Sequence, residues 1–203
     1  MPILRTRNPI HWGHLDVPIF GIQRDWHGAE IVPPVGWCLV ADPEALWLLA
    51  TRGASGKPQP ASSTGEFVEG LWNHEVAELF IADPARERYL ECNLAPNGAW
   101  WACQFDSPRV RSEEQPDFPA IFRSHADPDA AGSWTAGLRL PLDFLQKSLN
   151  FGPSSPLNVT FILHDPAPRY LSLADLGSGE PDFHRPWAFP VVSWMDVDSP
   201  SAP

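Results

Sequence analysis

Eight side chains of kinds that hold a ligand gather in the pattern of this sequence: Trp72, His74, Glu78, Glu91, Asn93, Trp100, Gln104 and, further along, His164. An indole offers a flat apolar face to the C–H side of a sugar ring. Carboxylates and amides beside it can each take part in two hydrogen bonds with ring hydroxyls. The chemistry this set suggests is reversible binding of a mono- or oligosaccharide. An ordinary half-exposed strand with polar surface residues would carry some of the same letters.

Two other chemistries use subsets of these residues. Glu78 and Glu91 form a carboxylate pair of the kind glycoside hydrolases use. On neighbouring strands of one sheet face they would lie close together and open to water, whereas hydrolysis needs an acid on each side of the bond within a cleft. The expectation is therefore a protein without catalytic activity. His74, His164 and His184 invite a metal or haem reading, but Met1 and Met195 are the only methionines and Met195 is expected beyond the last strand. No metal site is expected. Ca²⁺ is supported by no motif, since no loop alternates acidic ligands at EF-hand spacing.

These residues must be positioned by strands. From Leu71 to Ile81, a period of two puts Ala77, Leu79 and Ile81 on one face and Trp72, His74, Val76, Glu78 and Phe80 on the other. Tyr89–Ala95 alternates again, with Leu90, Cys92 and Leu94 inward and Tyr89, Glu91 and Asn93 outward, before the turn residues Pro96-Asn97-Gly98. A three-residue loop would set Gln104 against Leu90 on the core face, which is chemically poor. A four-residue loop, Pro96 to Ala99, pairs Leu94 with Trp101, Cys92 with Cys103 and Glu91 with Gln104, and brings Trp100 and Gln104 to the polar face.

The rest of the chain fits that frame. Ten Trp, 24 Pro and 14 Gly among 203 residues favour many turns and an aromatic core or stacking surface over long helices. A net charge of −11 argues against nucleic acid and anionic membrane surfaces. Gly36–Ala41 and Ala45–Thr51 read as a hairpin whose second strand lies near the sheet centre. Arg52–Gly70 reads as a loop. Phe118–Arg123, Trp134–Leu140, Leu157–His164 and Ala188–Trp194 read as strands, and Pro141–Gln146 as a short helix. The expected fold is all-β: an antiparallel β-sandwich of immunoglobulin-like or DOMON-like form with short helical turns in its connections, spanning 1–203 as one domain. Residues 1–34 would form an irregular wrap and 196–203 a disordered tail. Three cysteines make no disulfide framework, and Cys92 and Cys103 are expected as reduced thiols. The N-terminus carries no signal-peptide pattern, so the expected location is cytoplasmic, or exported should the start be truncated.

Leu71-Trp72, Val76–Ile81, Tyr89–Trp101, Tyr170–Leu173 and the run Pro181-Asp182-Phe183-His184-Arg185-Pro186 together resemble the family 9 carbohydrate-binding modules of the DOMON-like superfamily. The resemblance runs from about Trp37 to Trp194. It implies a sandwich that binds sugars without transforming them, with Trp72 as the first stacking indole and Glu78 as the hydroxyl acceptor. The second indole would fall where this chain has Leu173, and the third-strand arginine where it has Gln104, so Trp187 or Trp100 would have to substitute. Asp182, His184 and Arg185 are expected to hold a turn near the site. The alternative is a protein-interaction or enzyme-accessory domain that keeps the fold and has lost the sugar.

Overall fold

The computed structural model describes residues 1–14, 16–128, 132–164 and 167–197. Its centre is the strand β5 (Val76–Ala82), in which Ala77, Leu79 and Ile81 point into the main core while Val76, Phe80 and Ala82 join a second cluster on the other face. β5 pairs antiparallel with β6 (Tyr89–Leu94) on one side and β11 (Leu157–His164) on the other. β7 (Trp100–Ser107) and the two-residue β8 (Val110–Arg111) continue the sheet beyond β6, and β12 (Pro168–Ser172) extends it beyond β11.

The opposing sheet runs in the order β13 (Ser193–Asp196), β1 (Pro2–Arg5), β3 (Glu30–Ala41), β4 (Ala45–Arg52), β10 (Trp134–Pro141), β9 (Arg123–Pro128), with β2 (Phe20–Arg24) also paired to β3. β4 is interior, as its apolar residues on both faces require. Pairing is antiparallel apart from β1, which runs parallel to both β3 and β13. Leu39, Leu48, Leu138, Leu79, Cys92 and Phe161 meet between the layers, all fully buried. The architecture is the two-layer all-β sandwich the alternation implied.

Several boundaries differ from the sequence reading. Residues 1–34 are not an irregular wrap, because they supply β1, β2 and the start of β3. The segment 118–121 is a helical turn, α1 (Phe118–Ile121), with Pro119 in its first turn, and the strand begins only at Arg123. α2 (Leu142–Leu149) starts one residue after Pro141, which closes β10. Ala188–Trp194 is not one strand: Pro186–Ala188 forms a 3₁₀ turn and pairing resumes at Ser193, so Met195 lies within the last strand rather than beyond it. Of the expected tail, Asp196 belongs to β13 and 198–203 lie outside the described residues.

The decisive correction is register. Leu94 pairs with Trp100, Cys92 with Ala102 and Leu90 with Gln104. The loop is the three-residue Pro96–Gly98, closed by the Ala95 N–H donating to the Ala99 carbonyl, with Gly98 at φ 80°. A type I turn ending in a left-handed glycine suits such a loop, and a side chain at Gly98 would meet Ala126 and Thr64 at 3.0 Å. The one-residue shift turns every β7 side chain over. Trp100 enters the core against Phe122, while Trp101, Cys103 and Phe105 take the outer face. Cys92 and Cys103 consequently lie on opposite faces, and both are free.

Candidate functional site

The outer face of the six-stranded sheet carries two rows of side chains set by the pairing. One row runs Thr160, Glu78, Asn93, Trp101; the next runs Asn158, Phe80, Glu91, Cys103. Glu78 and Glu91 are thus diagonal neighbours on adjacent strands. Above them sits a cavity of about 420 Å³ walled by Trp72, Trp101, Phe80, Phe183, Tyr170 and His184, with Arg109 and Arg111 also along its lining. The chain after β12 folds back over the sheet to make part of that wall, packing Phe183 against Phe80 and Tyr170.

Both floor carboxylates are buried, Glu78 at 2% exposure and Glu91 at 5%. The open, water-washed pair expected from adjacent strands is therefore not what the fold makes. Thr160 Oγ1 donates to Glu78 Oε2 at 2.7 Å, and Asn93 Nδ2 donates to Glu91 Oε1 at 2.8 Å. Burial raises both carboxyls, Glu78 to about 8 with a further push from the charge of Glu91, and Glu91 to about 7 against the opposing pull of the Asn93 hydrogen bond.

His184 stands beside them. Its Nδ1 lies 2.6 Å from the Tyr89 hydroxyl, which also accepts the Arg109 backbone N–H at 3.1 Å. Burial depresses the imidazole to about 4, so the ring is neutral near pH 7. With the phenol proton directed to Nδ1, the ring proton belongs on Nε2, which faces Glu91 Oε2 at 3.7 Å. Asp182 accepts from the His184 backbone N–H at 3.1 Å and pairs with Arg109 at 2.7 Å and Arg185 at 3.6 Å. Asp182 thus ties down an irregular stretch, and His184 reaches from it into the cavity.

Trp72 does not ride on β5. Gly70, at φ 85°, and the buried Leu71 start a 3₁₀ turn over Leu71–Asn73 that ends the period of two before it reaches Trp72 or His74. The turn leaves the half-buried Trp72 ring edge-on to Trp101, centroids 4.7 Å apart at 60°. The Arg111 guanidinium lies 5.8 Å from the Trp72 ring centre and 5.1 Å from that of Trp101, held from outside by Glu69 at 2.6 Å.

No family model matches the sequence. Over 134 residues the chain is 30% identical to the UPF0462 protein C4orf33 homolog of Danio rerio, covering 63% of this chain and 64% of that protein's length. The structure is similar to a protein of Bacteroides uniformis described as carbohydrate-binding, at TM-score 0.65 and 16% identity over 88% of this chain and 87% of the other. It is also similar to a family 9 carbohydrate-binding module of Caldicellulosiruptor kristjanssonii in complex with glucose, at TM-score 0.61 and 13% identity over the whole of both chains. The same kind of module in complex with cellotriose gives TM-score 0.59. At these identities the likeness establishes the fold.

Of the residues singled out from sequence, Trp72, Glu78 and Glu91 line the cavity, and Asn93 supports Glu91 from beneath. Trp100 and Gln104 do not, because the register puts both on the core side. His74 and His164 lie outside the lining, with the Lys57 ammonium donating to the His164 carbonyl and their mutual charge holding His164 low after burial. Trp187 is 73% exposed and also off the cavity, and the second indole in the lining is that of Trp101. Arg109 and Arg111 also line the cavity, and the sequence holds a local sign of them: Ser107-Pro108 is turn chemistry, and Val110-Arg111 answers β7 as the return of a hairpin. A second hollow, of about 790 Å³ between Arg5, Phe151 and Trp194, contains none of these residues.

Proposed function

We propose that this protein binds a sugar without transforming it, in the cavity between Trp72, Trp101 and the Glu78–Glu91 floor. The observation that carries the reading is the conjunction of two indoles with two buried carboxylates in a hollow of about 420 Å³, room enough for a monosaccharide. Ring C–H groups would lie against the aromatic wall, and hydroxyls would donate to the carboxylate oxygens left facing the cavity. Arg111 has N–H groups beyond the one bound to Glu69, and these can reach hydroxyl oxygens at the rim. Neighbours that hold glucose and cellotriose on the same fold support this reading.

Titrating intrinsic fluorescence with a panel of mono- and oligosaccharides tests it. Saturable change in the wild type, weakened in Trp72→Ala and kept in Trp187→Ala, is the expected result; no response to any sugar would refute it. The second reading, an accessory domain that has lost its sugar, is favoured by Arg111 lying over both rings. Under that reading sugar binding is absent from the wild type and emerges only in Arg111→Ala.

A further inference from the structure

We propose that the cavity prefers an amino sugar, a pyranose carrying a protonated primary amine, over its neutral counterpart. The inference rests on the sugar-binding reading above and names the ligand class for the same site.

Each floor carboxylate spends one oxygen on the protein. Glu78 Oε2 accepts from Thr160 and Glu91 Oε1 from Asn93. Among the described residues, Glu78 Oε1 and Glu91 Oε2 have no hydrogen-bond donor, and both side chains line the cavity although each is more than nine-tenths buried. The group facing Glu91 Oε2, the neutral His184 ring, stays at 3.7 Å, beyond hydrogen-bond reach. Two bare carboxylate oxygens on diagonal neighbours therefore look into one hollow.

Arg109 and Arg111 act on Glu91 through space, but their close pairings run to other acids, Arg109 to Asp182 at 2.7 Å and Arg111 to Glu69 at 2.6 Å. Burial keeps Glu78 mostly protonated near pH 7, and a neutral sugar leaves it so. An ammonium supplies three donors and a positive charge at once, so it satisfies both oxygens as carboxylates while the Glu78 proton passes to solvent. A quaternary ammonium, lacking N–H, would leave the oxygens unpaired and is the poorer match.

Isothermal titration of the full chain at pH 7 with glucosamine, glucose and N-acetylglucosamine tests the preference. Glucosamine is expected to bind at least about tenfold more tightly than either neutral sugar, the scale of one charge-assisted contact. Glu91→Gln should lower glucosamine affinity by a larger factor than glucose affinity; if that variant does not fold, Glu78→Gln reads the same difference. Equal or weaker binding of glucosamine than of glucose overturns the amine preference and leaves the sugar-binding reading standing. Absence of binding by all three overturns both.

Discussion

Trp72 and Trp101 meet edge-on with ring centroids 4.7 Å apart, one from a 3₁₀ turn and the other from β7, across the mouth of a cavity floored by acids. The two indoles differ in what else they do. Trp72 is half-buried, whereas Trp101 is 4% exposed and packs into the outer-face cluster. Trp72→Ala is expected to weaken sugar binding by about 1–3 kcal/mol with little change in stability. Trp101→Ala should cost about 3–5 kcal/mol of folding stability as well, as large-to-small changes in packed sites do. Denaturant unfolding beside calorimetric titration separates the two, and equal destabilisation by both variants would be the discordant outcome.

The carboxylate floor makes stability depend on pH with a definite sign. A carboxyl raised in the folded state favours folding while protonated, so its contribution is complete below the unfolded value near 4.5 and is lost as pH rises through about 7 for Glu91 and about 8 for Glu78. His184 acts oppositely and lower: its folded value near 4 against 6.5 costs stability as pH falls below 6.5. Between pH 6.5 and 8.5 only the acids of this cluster change charge. The melting temperature of the free protein should therefore fall across that interval, and Glu78→Gln should flatten the slope. A wild-type profile that rises there would contradict the assigned burial.

Asn93 supports the floor from a fully buried position, its amide donating to Glu91. Replacing it with Ala leaves one Glu91 oxygen without its donor and should destabilise the protein by about 1–3 kcal/mol. Chemical denaturation measures this; a neutral substitution would mean that the amide is not what holds Glu91.

The three thiols should be inert in the folded state. Burial raises Cys103 to about 11 and Cys38 to about 12, and Cys92 is raised as well. Because Cys92 and Cys103 occupy opposite faces, reductant should leave the melting temperature unchanged. A thiol reagent should count three groups only after unfolding. Fewer than three would reveal a bridge incompatible with the observed register.

The alternation in Val76–Ala82, Tyr89–Leu94 and Leu157–His164 made the core face of the central strands readable from sequence, because a sheet with one side on a core enforces its period of two. The register of β7 was harder. Setting Gln104 opposite Leu90 looked costly as a single pair, yet that register places Trp101 beside Trp72 and stacks Phe105 on Tyr89 at 4.8 Å. The sum over two aromatic pairs outweighs one amide near a strand end, whose backbone is in turn gripped by the Gln115 side chain. Gly98 ending a three-residue loop was the local sign of it. Trp72 and His74 leave the period of two for another reason: the left-handed Gly70 breaks the strand pattern just before them. The burial of Glu78 and Glu91 depends on the segment carrying Phe183 and His184 about a hundred residues later, which no local pattern around the acids records.

The central claim is that a sugar sits in the cavity walled by Trp72 and Trp101, and the indole N–H resonances of the tryptophans report it directly. In a sugar titration followed by two-dimensional NMR of indole-labelled protein, the Trp72 and Trp101 signals should move together along one saturating curve while those of Trp187 and the core Trp100 stay fixed. Movement of Trp187 instead, or ten indole signals that none of the sugars displaces, would contradict it.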